Sequence, residues 1–292
     1  MKILIKKSQF YNEDKYERIQ GIINYINALQ EGLYKDEELD QQIPLAQEVY
    51  FVDYYLGQVE NGGIFQYFSN SNFNESQNSI VLRGLDNMGA HKHKELFQKA
   101  WQLLIKMGTD EREEYLFAGL YDRESVRQKP GIKEVAEQLD KLDDLFFKLN
   151  GGEESIDDLI YKYIEKVDNL RVVNDESYDL ELKEILSRVP NFEERKRKAE
   201  EDWAKNQPRY SKVVNSICQK YGLELISINA MDYGEDFVSE EEAKNNYEND
   251  IMYYYISTDK GYHYIIDEGN QLIVFNGETN KKIGSMPSED ID

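Results

Sequence analysis

Carboxylates are the side chains with the greatest chemical potential in this sequence, and they recur at helical spacings. Glu137, Asp140 and Asp144 form one file. Glu154, Asp158, Glu165 and Asp168 form a second, interrupted by Lys162 and Lys166. Glu240, Glu241, Glu242, Glu248 and Asp250 form a third. On a helix, neighbours three and four residues apart stand about 5–6 Å from each other. Two such groups with separated pKa values can run general acid–base catalysis, whereas a row of them can present a sustained negative field. Nothing in the sequence sets the surroundings of one carboxylate apart from another, so the field is the better-founded use.

Other reactive chemistry is sparse. There is no glycine-rich phosphate loop ending in Gly-Lys-Ser/Thr, no Gly-x-Ser-x-Gly elbow and no His-Glu-x-x-His helix. His91 and His93 are two apart, so on a helix they face different ways and read as surface residues without a third metal ligand. Cys218 is the one cysteine, which excludes an internal disulfide and a cysteine zinc cage. Beside Val214 and Ile217 it reads as a small core residue. The acid-rich stretch Asn174 to Glu181 lacks the central glycine of a calcium loop. The residues imply no catalytic group, no metal and no cofactor.

The chain has 292 residues with 35 Lys and Arg against 57 Asp and Glu, a net charge of −22. That balance argues against direct binding to nucleic acid or an anionic membrane, which need clustered bases. With 12% aromatic residues it is a folding chain, not a disordered acidic tail. The charge is also unevenly placed. Residues 223–292 hold sixteen acidic and four basic residues, and residues 137–184 hold fifteen and six. The remainder is close to neutral. No stretch approaches the ~20 apolar residues of a membrane span, and Met1 to Phe10 has no small-residue cleavage site. A cytoplasmic protein is expected.

The elements that must position these groups are mostly helical. Tyr11 to Leu29 places Ile19, Ile22, Tyr25 and Ile26 on one face. Pro44 opens a helix that Asn61-Gly62-Gly63 should stop, with a short aromatic segment following. Helices are predicted over 74–88, 90–107, 131–149 and 191–205, and one from Ser155 that carries Leu159, Tyr163 and Val167. Asp110 with Glu113 predicts a capping box. Pro208 opens a last long helix that Gly222 closes. A short strand over 223–228 and an acidic helix capped by Ser239 follow. Strands over 251–257, 262–266, 272–275 and 281–286 then alternate with hairpin turns. The fold class is mainly α: a multi-helix domain over 1–206 and an acidic α+β unit over 207–292 with a small antiparallel sheet. Tyr253, Tyr254, Tyr255, Tyr262 and Tyr264 crowd one hairpin, as a recognition face or as a partly exposed sheet.

One stretch carries a recognisable pattern: Glu60-Asn61-Gly62-Gly63, then Phe65-Gln66-Tyr67-Phe68 and Asn70, with Leu85-Asp86-Asn87-Met88-Gly89-Ala90 further on. Asn61 and Gly62 tolerate positive φ and would let the chain reverse, Phe65, Tyr67 and Phe68 would fill the corner, and Gln66 and Asn70 would bond the freed backbone. The pattern resembles a family of bacterial domains of unknown function named after a DNA-mimic protein. The likeness covers residues 44–150, roughly a third of the chain, although Ile64 stands where the family usually has an aromatic.

The resemblance implies a non-enzymatic protein that binds a basic protein partner, as a DNA mimic occupying the basic face of a DNA-binding regulator. DNA carries one negative charge per about 1.7 Å of axis, so a mimic needs carboxylates held in rigid files. The three acidic files are the candidate surface, and the lysines within the second would blunt its field. Two alternatives stand beside this reading: an immunity-type protein neutralising a basic toxin, and a small-ligand or enzymatic domain centred on the Asn-Gly-Gly motif.

Overall fold

Apolar residues three and four apart close into helices here because each stripe finds another to cover it. The computed structural model describes residues 1–119, 122–152, 154–167, 169–235 and 237–291. By its internal contacts the chain divides into Met1–Arg195 and Lys196–Asp292.

The first unit begins with β1 (Ile3–Lys6), α1 (Lys7–Phe10), α2 (Lys15–Glu31) and α3 (Asp36–Gln42). Then come α4 (Pro44–Asn70), α5 (Glu75–Met88), α6 (His91–Lys106), α7 (Thr109–Leu116) and α8 (Arg123–Arg127). It ends with α9 (Pro130–Asn150), α10 (Ile156–Ile164), β2 (Leu170–Val173) and α11 (Asp175–Leu186). The next helix, α12 (Phe192–Lys205), contains the division between the units.

The centre of the first unit is α4, against which α2, α3, α5, α9 and α10 pack. Its Val52, Tyr55, Val59, Ile64, Tyr67 and Phe68 are wholly buried. Tyr55 meets Tyr67, Phe97 and Phe146 edge-on at 5.1, 5.1 and 5.7 Å, an arrangement favoured by the ring quadrupoles. Full burial of each such aliphatic or aromatic side chain stabilises by about 1.5–3 kcal/mol.

Several local expectations are corrected. The first ten residues are more than an apolar patch: β1 pairs in parallel with β2, Ile3 opposite Leu170 and Lys6 opposite Val173. The capping box at Asp110 does not form, because Gly108 (φ 93°) is the N-cap and places Asp110 inside the first turn. There its carboxylate complements the helix dipole instead. His93 is buried, not at the surface, since α6 starts at His91 and turns residue 93 toward α9. Its ring meets Phe146 at 4.9 Å and its Nε2 lies 2.9 Å from the Glu154 carbonyl oxygen. Burial pushes His93 below its ordinary pKa. His91 is exposed, with Nδ1 3.3 Å from Asp86.

The second unit continues with α13 (Arg209–Tyr221), closed by Gly222 in the left-handed region, then β3 (Leu225–Asp232) and α14 (Glu240–Glu248). Ser239 caps α14 as expected. β4 (Met252–Thr258), β5 (Gly261–Asp267), β6 (Gln271–Asn276) and β7 (Lys282–Pro287) complete an antiparallel sheet in the order β3-β4-β5-β6-β7. The last hairpin turns over residues 277–281, where Asn276 Oδ1 accepts the Glu278 and Thr279 N–H groups.

Alternation along the strands feeds two apolar layers. Val213, Val214, Ile217 and Cys218 of α13 cover Tyr254, Ile256, Ile265 and Val274 on one face. Tyr253, Tyr255 and Tyr264 are buried on the other, with Tyr264 stacked on Phe275 at 4.8 Å. Of the five crowded tyrosines, Tyr253, Tyr255 and Tyr264 thus form a second buried layer, Tyr254 lies in the layer under α13, and Tyr262 is half-buried.

Candidate functional site

The Asn-Gly-Gly motif stops the first helical half of α4, as expected, and a second helical half starts directly after it. Gly62 (φ −159°, ψ 28°) and Gly63 (φ 79°, ψ 178°) leave helical geometry, and Ile64 to Asn70 resume it. The chain folds back here, since Tyr55 and Tyr67 meet at 5.1 Å although twelve residues of continuous helix would span about 18 Å, but the positive φ belongs to Gly63 and not to Asn61 or Gly62. The break frees the Ile64 N–H, which donates to Asp143 Oδ1 at 2.7 Å. A carboxylate from α9 thus caps the second half of α4. A Cβ on Gly63 would stand 2.5 Å from Asp143 Oδ2, so the missing side chain is what admits the cap. Burial raises the pKa of Asp143, and the Ile64 bond opposes the shift.

Gln66 and Asn70 do not bond backbone groups. They are one turn apart, so both reach across the bend and donate to Gln58 Oε1, at 3.2 and 2.6 Å. Asn150 Nδ2 donates to Glu60 Oε1 at 3.1 Å, and Asn61 is exposed. Tyr67 and Phe68 fill the corner as expected, while half-buried Phe65 packs on Tyr115 at 4.9 Å. Gln58, Gln66 and Asn70 thus bond one another, as do Glu60 and Asn150.

A second polar centre lies beneath α4. Glu48 is 2% exposed. Its Oε1 accepts from Arg83 Nε at 2.6 Å and its Oε2 from the Tyr163 hydroxyl at 2.6 Å. Asn87 Nδ2 lies 3.1 Å from both oxygens. Arg83 also pairs with Asp40. Burial and the Glu48 carboxylate raise the pKa of Tyr163, which keeps its proton and donates. Sequence reading missed this centre. Its one local signal is Glu48 at i, i+4, i+7 and i+11 with Val52, Tyr55 and Val59, a charge on an apolar stripe.

Near the bend, α2, α4 and α10 bring Asp53, Glu60 and Asp157 into electrostatic reach of one another. Burial, then the Asp157 and Glu60 charges, push Asp53 up to about 6, while Tyr16 partly offsets them. The folded chain holds this proton more tightly than the unfolded one. Its contribution to stability is therefore most favourable below the ordinary value of 3.8 and declines as pH rises through about 6. Asp53→Asn should stabilise the unit by about 2 kcal/mol at pH 7.5, discounted for partial solvent access. Thermal melts of both chains should show that gain vanish near pH 4; an equal gain at both pH values would contradict the assignment.

The acidic files divide into engaged and open groups. Asp140 is held by Arg127 at 2.7 Å. Asp158 pairs with Lys15 at 3.0 Å, which lowers its pKa. Glu165 neutralises Arg18 at 3.0 Å, an arginine buried against Phe10 and Tyr161. Glu154 accepts the Lys92 N–H at 3.1 Å at the start of α6. Asp168 lies outside the described residues. Glu137, Asp144, Glu240, Glu241, Glu242, Glu248 and Asp250 are exposed and make no ion pair among the described residues.

Among the described residues, no group of three or more His, Cys, Asp or Glu is arranged to hold a metal ion, and no helix is long and apolar enough to cross a membrane. No curated protein and no solved structure matches the chain. A family model described as DMP19-like protein matches residues 40–167, which includes the Gly62–Gly63 bend, Glu48 with its partners and Asp143. That segment is similar to a family named after a DNA mimic.

Proposed function

We propose that the chain is a non-enzymatic, cytoplasmic acidic protein that engages a basic protein partner, as a DNA mimic covering the basic face of a DNA-binding regulator. The observation that carries this reading is the set of exposed carboxylates that make no ion pair among the described residues. Glu137 and Asp144 on α9 are two turns apart, about 10.5 Å along the axis. That is close to three phosphate steps of one DNA strand, about 3.4 Å each. Glu240, Glu241, Glu242 and Glu248 on α14 add a second group. Glu154, Asp158 and Glu165 serve the fold and contribute less to the outward field. The similarity of residues 40–167 to the DMP19-like family supports the same reading.

The immobilised full chain should retain basic nucleic-acid-binding proteins at about 50 mM salt and release them at about 500 mM, where charges are screened within a few ångströms. Duplex DNA should compete for the retained protein. Glu137→Gln with Asp144→Asn, combined with the four α14 Glu→Gln changes, should weaken retention about tenfold. Partners that persist at high salt, or none at all, would sink the proposal.

A further inference from the structure

The two edges of the five-stranded sheet are built differently. The β7 edge carries Lys282, Gly284 and Pro287, and lysine and proline are how proteins deny an edge to another strand. The β3 edge has neither. Its eight residues, Leu225–Asp232, include a single charge, Asp232. That carboxylate is turned inward, accepting the Gly234 N–H at 2.7 Å and the Tyr255 hydroxyl at 2.8 Å.

β3 is bonded to β4 on one side alone. Among the described residues nothing pairs with the backbone groups on its other side, and Ile226 and Met231 are 70% and 50% exposed. An apolar edge of this length is a template for an added strand.

Charge selects what can fill it. Glu224 precedes the strand. The exit of β3 is tied to α14 by Asn246 Nδ2, which donates to the Tyr233 carbonyl at 2.8 Å. The exposed first turn of α14 is Glu240, Glu241 and Glu242. A second copy is disfavoured, since residues 207–292 hold sixteen acidic against seven basic residues and two such edges would repel. We propose that β3 receives, as a sixth strand, an extended apolar segment flanked by Lys or Arg from a basic protein partner. The proposal rests on the reading of the chain as a binder of basic proteins, and it adds the mode of docking.

The probe is a capped Lys-Val-Lys-Val-Lys-Val-Lys peptide, used with the intact chain. Binding should slow hydrogen exchange of the 225–232 amides about tenfold. N-methylation of alternate peptide bonds, which removes strand pairing and keeps the charge, should weaken binding about tenfold. Ile226→Lys with Met231→Lys should do the same at unchanged melting temperature, because both side chains are exposed.

Equal binding of the methylated peptide, protection confined to α14, or no binding would each overturn the edge. Protection of β3 without peptide, rising with protein concentration, would assign it to a second copy and overturn the proposal as well. Failure of the basic-partner reading has a separate signature: Glu240→Gln, Glu241→Gln and Glu242→Gln together would leave peptide affinity and its salt dependence unchanged while the methylated peptide still failed.

Discussion

Gly63→Ala should destabilise the helical unit by about 3 kcal/mol and lower its melting temperature by roughly 6–12 °C. Two costs combine. A side chain at φ 79° and ψ 178° occupies a region that essentially belongs to glycine. The new Cβ also stands 2.5 Å from Asp143 Oδ2, and the carboxylate can withdraw only by releasing the Ile64 N–H it accepts. Gly62→Ala is the internal control. Its Cβ would meet the flexible end of Gln66, at an extended φ of −159° that any residue adopts. That change should cost under about 1 kcal/mol, the worth of the Gln66–Gln58 hydrogen bond.

Asp143→Ala alone leaves the Ile64 N–H unpaired and should cost about 1–3 kcal/mol. In combination with Gly63→Ala the losses should sum to less than their total, since the clash and the cap share one carboxylate. Urea unfolding followed by Trp101 emission, with Trp203 changed to Phe, measures all four chains. Equal losses for Gly62→Ala and Gly63→Ala would remove the special role of the bend.

Glu48→Ala carries the second large effect. Glu48 is almost wholly buried and accepts from three side chains on α5 and α10. Removing it strands the Tyr163 hydroxyl and the Asn87 amide in the interior and leaves Arg83 with Asp40 alone. The expected loss is about 3–5 kcal/mol. Glu48→Gln keeps the volume and one acceptor, so it should lose roughly half as much. Tyr163→Phe removes the donor as well as the need for it and should cost about 1 kcal/mol. A Glu48→Gln loss equal to that of Glu48→Ala would place the effect in the charge, and none in the geometry of the acceptors.

What could be read in the sequence was what neighbouring residues decide. The stripe Ile19-Ile22-Tyr25-Ile26, the Ser155 and Ser239 caps and the Gly62-Gly63 and Gly222 stops are all local and appear as expected, whereas Leu145, of the expected face Ile132-Val135-Leu139-Leu142-Leu145-Phe146, is exposed. The hairpin strands followed from their turns. The group that caps the helix after Gly62-Gly63 was not legible, because Asp143 lies 79 residues beyond Ile64, where no local pattern points back to it. The β1–β2 pair and the Glu48 centre were invisible for the same reason.

The acidic files show a different limit. Spacing put the carboxylates on common helix faces, but whether each faces solvent or a cation depends on which helix packs beside it. Lys15 and Arg18 come from α2 to Asp158 and Glu165 across more than 140 residues of sequence. Charge counting finds where acids are abundant; packing decides which of them remain open.

The short parallel pair near the start of the chain has a consequence for how the unit is made. Residues 3–6 pair with residues 170–173, so the ladder closes across a loop of more than 160 residues. Ile3, Leu4 and Ile5 have no ladder to join until that loop closes, and closing so long a loop is the kind of event that slows folding. The segment that matches the DMP19-like family, residues 40–167, lies wholly inside this loop. Strands from outside that segment fasten the unit around it.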